Sequence, residues 1–173
     1  GDLLMVIKNN YFWLNNKIDI GFIANGDIIK IEEIHNIKQL YGFKFAEVKI
    51  SMVDYPKIDH LETVLILDSL YINSSALDFN TMNKLYQEIL KDYMNVKTKY
   101  KRHLAVKNNS FFNALQVKFA YSFTCHKSQG GQWESIFLEY PYLPNGMDEN
   151  FLRWLYTAVT RAKNKLHLIG FNQ

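Results

Sequence analysis

Hydrophobic and polar positions along the chain change their period several times, and each change marks an element. Leu3 to Lys8 is a continuous apolar run that the turn-prone pair Asn9-Asn10 ends, the pattern of a buried strand. From about Ile18 to Leu70 the runs are Ile28 to Ile34, Phe43 to Val53 and Thr63 to Leu67, separated by Asn25-Gly26-Asp27, Tyr41-Gly42 and Pro56. Within the second run Val48, Ile50 and Met52 alternate with Glu47, Lys49 and Ser51, so that strand has one wet face. A small antiparallel β unit is predicted, and closure into a barrel would remove its exposed edges.

The period then becomes helical. From about Asn80 to Val96, Met82, Leu85, Tyr86, Ile89, Leu90 and Tyr93 recur at three- and four-residue spacing, with Asn80 or Thr81 placed to cap the start. A basic loop follows. Strand and helix alternate after it: strands at about Ala114 to Thr124 and Ser135 to Tyr140, a helix from about Glu149 to Ala162, and a last strand Leu166 to Ile169 ended by Gly170. That order predicts a mainly parallel sheet, which Leu3 to Lys8 is expected to join. The fold expected is therefore α/β, a parallel sheet interrupted by an inserted antiparallel β-barrel. The divisions are 1–17 for the first strand, 18–112 for the insert with its helix and basic loop, and 113–173 for the rest of the sheet.

Composition narrows the class. With 173 residues, 48% of them hydrophobic, and a net charge of +3, the chain is an ordinary globular sequence. Its single cysteine, Cys125, has no partner for an internal disulfide, and every apolar run falls short of the roughly 20 residues that span a bilayer. A cytoplasmic location with no membrane partner is expected. Gly1-Asp2 leads straight into an apolar strand, so the sequence reads as a piece of a longer protein, with further catalytic machinery expected upstream.

Charge is divided unevenly. Residues 1–80 carry 7 basic and 11 acidic side chains, and residues 81–173 carry 13 and 6. The densest basic stretch holds Lys97, Lys99, Lys101, Arg102 and Lys107 among Tyr93, Tyr100, His103, Phe111 and Phe112, a mixture suited to a phosphate backbone with stackable bases. A solvated helix end followed by a loop would have the same composition.

Two clusters carry chemistry. Tyr121 to Glu134 places Thr124, His126, Lys127, Ser128 and Gln129 directly after an apolar strand and before Gly130-Gly131. Ligands bind at such strand ends in α/β sheets, and glycines let backbone amides approach an anion. The second cluster, Tyr156-Thr157-Ala158-Val159-Thr160-Arg161-Ala162-Lys163, puts cations at a helix C-terminus. The helix dipole alone favours cations there, and an Arg delivered to a γ-phosphate is the functional alternative. Cys125 beside His126 makes a poor nucleophile and base pair, because neighbours on a strand point to opposite faces. The five histidines are dispersed without metal-ligand spacing, so no metal site is expected in the chain itself.

Taken in order, Thr124-x-His126-Lys127-Ser128-Gln129-Gly130 and Tyr156 to Lys163 resemble motifs V and VI of superfamily 1 DNA helicases. The match is closest to the RecD-like branch, that of exodeoxyribonuclease V alpha subunits and of UvrD-like C-terminal helicase domains. Gly1-Asp2 with its strand, and Asn25-Gly26-Asp27 opening a β unit, extend the likeness to the second RecA-like domain of P-loop NTPase type, with its inserted Src-homology-type barrel. The resemblance implies that Arg161 is the catalytic motif VI arginine, reaching the γ-phosphate of ATP held by an upstream RecA-like domain. It implies ATP contacts for Gly130, Gln132 and Tyr156, and single-stranded DNA contacts for Thr124, His126, Lys127, Ser128 and Gln129. Lys99, Lys101 and Arg102 are candidates for extra backbone contacts. Many relatives carry a glutamate where Gln132 stands, two residues after Gly130.

No G-x-x-x-x-G-K-[ST] occurs in the sequence, and Val64-Leu65-Ile66-Leu67-Asp68 lacks the second acid of a magnesium-presenting strand. ATP and Mg2+ are thus expected in the full-length parent, with none bound by this chain alone, which is expected not to hydrolyse ATP. By resemblance the parent is a 5′ to 3′ DNA helicase, its further partners being subunits of a nuclease complex acting in DNA repair or recombination. The competing reading is a nucleic-acid or protein-binding module that keeps the architecture without turnover.

Overall fold

The alternation of Val48, Ile50 and Met52 against Glu47, Lys49 and Ser51 is realised in strand β3 (Phe43–Met52), where the apolar set is buried. The computed structural model describes residues 1–14, 21–122, 124–144 and 146–171 and divides into two units, Gly1–Tyr121 and Ser122–Gln173. Ile18 and the boundary at residue 17 lie outside the described residues.

In the first unit β2 (Ile28–Leu40) runs antiparallel to β3, with Leu40 opposite Phe43, so that Tyr41 and Gly42 form a two-residue turn. Both have positive φ, 55° and 78°, the geometry that matches hairpin twist. Tyr41 tolerates this uncommon conformation for a side-chain residue while its hydroxyl donates to Asp92 at 2.6 Å. β4 (Leu61–Ile66) pairs antiparallel with β3, and β5 (Leu115–Phe119) pairs parallel with β4.

The sheet closes through β1 (Leu3–Val6), which pairs antiparallel with β2 on one side and β5 on the other, giving a barrel of order β1-β2-β3-β4-β5. Leu3 to Lys8 and Ala114 to Thr124 are expected in the parallel sheet from their sequence, and in the structure their strands belong to this barrel. The physical reason is edge closure: without β1, both β2 and β5 would present unpaired N–H and C=O groups. Val6, Ile29, Val48, Ile50, Leu65 and Val117 fill the interior. Where β4 turns into the 3-10 segment Leu67–Leu70, fully buried Ser69 completes the seam. Its Oγ accepts from the Val117 N–H at 2.9 Å and donates to the Ile66 carbonyl at 2.7 Å.

Helix α1 (Phe79–Lys91) starts at Asp78, whose carboxylate accepts from the Thr81 N–H at 2.7 Å, and buries Leu85 and Ile89 with Phe45 and Ile66 in a second cluster. The basic stretch, read as a loop, is helix α2 (Lys99–Lys107). Thr98 caps it by accepting from the Lys101 N–H, Val106 anchors it in the second cluster, and its remaining residues are mostly fair helix formers.

The second unit is β6 (Trp133–Glu139), α3 (Glu149–Val159) and β7 (Ala162–Ile169). β6 and β7 are parallel neighbours, with Ile136 opposite Leu166 and Leu138 opposite Leu168. Among the described residues this sheet has two strands, so the larger parallel sheet expected from the sequence is not present. Phe137, 71% exposed, stacks on His167 with ring centroids 4.5 Å apart. No helix among the described residues is long and apolar enough to cross a membrane.

Candidate functional site

The polar cluster after Tyr121 folds into a 3-10 turn, Cys125–Ser128, and not into the end of a strand. Thr124 precedes the turn in an extended conformation, and its carbonyl accepts the N–H groups of Lys127 and Ser128. Ser128 is buried, and its hydroxyl donates to the Cys125 carbonyl at 2.6 Å, so it holds the turn together from inside. Thr124, His126, Lys127 and Gln129 remain exposed on the outside of the turn. Gly130 lies at φ 88°, a conformation that side chains rarely adopt, and reverses the chain toward β6.

Cys125 is not paired with His126. Its thiol donates to the Trp154 carbonyl at 3.5 Å, and burial pushes its pKa up, against the opposing effects of the Ser128 hydroxyl and the Arg161 charge. A thiol kept protonated beside a carbonyl is a packing group.

Helix α3 is placed by its N-terminus. The Asp148 carboxylate accepts from the Phe151 N–H at 2.7 Å, and this bond, with help from Asn150, holds its pKa below the usual carboxylate value. Phe151 and Ala158 are buried, and the Phe151 ring packs with Tyr140 and Trp154.

At the other end of α3 the last carbonyls would lack partners, and the second sequence cluster supplies them. The Arg161 guanidinium donates from Nε to the Thr157 carbonyl, from Nη1 to the Gly131 carbonyl and from Nη2 to the Thr160 hydroxyl, each at 3.0 Å. Gln132 donates from its side-chain amide to the Thr160 carbonyl at 3.2 Å. The Trp133 N–H donates to the Arg161 carbonyl at 2.9 Å. Arg161, Gln132 and Gly131, singled out separately in the sequence, are therefore joined in one network. No carboxylate pairs with Arg161 among the described residues, so its charge faces neutral acceptors only. Tyr156, on the same helix, is 72% exposed.

Between the turn and α3 lies a cleft of about 490 Å3, lined by His126 and Gln129 from the turn and by Asn150, Arg153, Trp154 and Thr157 from the helix. Arg153 and Trp154 are absent from the sequence-derived site. Arg153 reads as a surface i,i+4 partner of Glu149, which it is at 2.6 Å, and Trp154 reads as core. Only the packing of turn against helix brings them to the cleft. Lys99, Lys101 and Arg102 belong to the first unit. Lys99 and Lys101 are exposed on α2, whereas Arg102 donates from Nε to the Val96 carbonyl at 2.7 Å. Among the described residues no group of three or more His, Cys, Asp or Glu side chains is placed to hold a metal ion.

Comparison with known proteins gives two partial matches. A stretch of 64 residues is 36% identical to an uncharacterized protein of Methanocaldococcus jannaschii, covering 36% of this chain and 5% of that protein. The chain thus spans only a small part of that relative's length. Residues 119–169 match the UvrD-like helicase C-terminal domain family, so the turn, β6, α3 and β7 are similar to a helicase C-terminal domain.

Proposed function

We propose that this chain provides the strand-gripping loop and the phosphate-reaching arginine of a RecD-like, ATP-dependent DNA helicase acting 5′ to 3′ in the cytoplasm. The observation that carries the reading is the Arg161 network. One guanidinium, unpaired with any carboxylate among the described residues, bonds the Gly131 end of the polar turn and the end of α3 at once. The groups proposed to sense nucleotide and to hold DNA are therefore mechanically continuous.

The donor set fits ATP with Mg2+ presented by another RecA-like domain. A guanidinium fork offers paired donors to phosphate oxygens, Gln132 offers an amide, and Tyr156 an exposed ring. Bound ATP would supply the γ-phosphoryl group whose transfer to water drives the cycle. Arg161 would exchange neutral carbonyl acceptors for phosphate oxygens, a trade favoured by charge. Its departure frees the Gly131 carbonyl, loosening the loop that carries Thr124, His126, Lys127 and Gln129 against single-stranded DNA. Lys99 and Lys101 would add backbone contacts, and nuclease-complex subunits would be further partners in repair or recombination.

One observation favours the second reading, a binding module without turnover. Every nitrogen of the Arg161 guanidinium already has an acceptor, a capping role that needs no nucleotide. The ATPase rate of the motor containing this chain, with and without single-stranded DNA, separates the two. Strong stimulation lost in Arg161→Ala supports the motor, whereas a rate indifferent to DNA and to Arg161 overturns it in favour of the module.

A further inference from the structure

The first unit holds a cleft that the site above does not use. It has a volume of about 330 Å3, at the small end of ligand pockets, which run from about 300 to 1,000 Å3. It lies beside the barrel, where the chain leaving β1 meets the end of α2 and the start of β5. Among the described residues its lining holds two cations, Lys8 and Lys107, and no acid, although the first 80 residues carry 11 acidic side chains to 7 basic ones. Neither ammonium has an ion-pair or hydrogen-bond partner among the described residues.

The wall also holds a polar group left nearly unsatisfied. Gln116, 4% exposed, accepts the Leu77 N–H at 2.9 Å through Oε1, but the acceptor for its Nε2 is the Met82 sulfur at 3.4 Å, a weak one. A buried amide donor without an oxygen partner is costly, and it lines the cleft. Aromatic faces complete the set. Phe112 is half-buried and held edge-on by Tyr86, while Tyr11 is 62% exposed and stacked on Phe22. At the C-terminal end of α2 the Asn113 amide already donates to the carbonyls of Lys107 and, just beyond the helix, Asn109. Anion-binding cations, a base-edge donor and stackable rings in one open cleft match one ligand chemistry, that of a nucleotide.

We propose that this cleft seats one nucleotide of single-stranded DNA. Lys8 and Lys107 hold its flanking phosphates, Tyr11 or Phe112 stacks on the base, and Gln116 Nε2 donates to the base edge. This deepens the DNA-binding reading by adding a second strand contact on the barrel unit, and it rests on that reading.

The test uses the 173-residue chain and a fluorescein-labelled octamer of thymidylate, with anisotropy read across a salt series. The double variant Lys8→Ala/Lys107→Ala is expected to bind roughly tenfold more weakly and to lower the slope of log affinity against log salt by about 1.4, that is, about 0.7 per phosphate lost. Both lysines are exposed, so the variant folds, as circular dichroism will verify. An octamer carrying one 5-iododeoxyuridine should photocrosslink to Tyr11 or Phe112. Octamer binding weakened by His126→Ala/Gln129→Ala but unchanged in the lysine variant, with crosslinks confined to the second unit, overturns the cleft while leaving the DNA reading intact. Absence of octamer binding at low salt overturns both. Complete loss of crosslinking when free dTMP is added at millimolar concentration before irradiation, with the salt slope unchanged in the lysine variant, overturns the strand assignment in favour of a free nucleotide.

Discussion

Nη1 of Arg161 donates to the carbonyl oxygen of Gly131 at 3.0 Å, tying the residues that follow α3 to the loop that precedes β6. The same guanidinium closes the end of its own helix through Thr157 and Thr160. Arg161→Ala removes all three bonds and is expected to destabilise the second unit by about 1.5–3 kcal/mol, the range for hydrogen bonds to charged groups. Arg161→Lys should recover less than half, because an ammonium lacks the planar fork. Urea unfolding of both variants checks this, and an Ala variant as stable as the parent would show that the network contributes nothing.

The adjacent glycines are required for different reasons. A Cβ on Gly130 meets open space, and its cost is the left-handed φ of 88°, about 1–2 kcal/mol for an alanine. A Cβ on Gly131 would lie 2.4 Å from Cη2 of Trp133, so the ring must move. Gly131→Ala is expected to cost about 1–3 kcal/mol. In a Trp133→Ala background that penalty should shrink by about 1 kcal/mol or more, whereas the Gly130→Ala penalty should not. Equal penalties in both backgrounds would count against the clash.

Thr63 on β4 is buried, and its hydroxyl has no hydrogen-bond partner among the described residues. Thr63→Val keeps the branched shape and removes the orphan polar group. It should raise stability by about 1 kcal/mol, measured by denaturant midpoint at unchanged slope. A loss of stability would mean that the hydroxyl has an acceptor.

Tyr41 titrates late. Burial, reinforced by its bond to Asp92, pushes the phenol up to about 12 from an ordinary value of 10.0. The folded state then holds this proton more tightly than the unfolded chain. The contribution is fully present below pH 10 and is lost as pH rises through about 12. Stability measured across this window should fall less steeply in Tyr41→Phe, and identical alkaline slopes would exclude Tyr41 as a source.

Much of this was legible along the chain. The runs Ile28 to Ile34, Phe43 to Val53 and Thr63 to Leu67 appear as β2, β3 and β4, and the helical spacing of Met82 to Tyr93 as α1. Lys99 to Lys107 was harder to read, because its helix depends on a cap at Thr98 and one buried anchor, Val106, within a run of cations. In the site, Gly130 and Arg161 are legible from residue type and position, and Gln132 from the resemblance to helicase motifs. Arg153 and Trp154 are not, because a surface ion-pair partner and an aromatic on an apolar helix face look ordinary in sequence.

Residue order alone sets the local features: where the period is two or 3.6, where turns fall, and which polar clusters flank glycines, since these depend on neighbours a few residues apart. Tertiary structure decided the partners. β1 and β5 are apolar strands that suit either sheet, and only unpaired edges on β2 and β4 drew them into the barrel. Likewise the cation of Arg161 found its place through the carbonyls of Gly131 and Thr157, whose convergence arises when the polar turn and α3 pack, because hydrogen bonds left open at a helix end are satisfied by whatever donor the fold brings near.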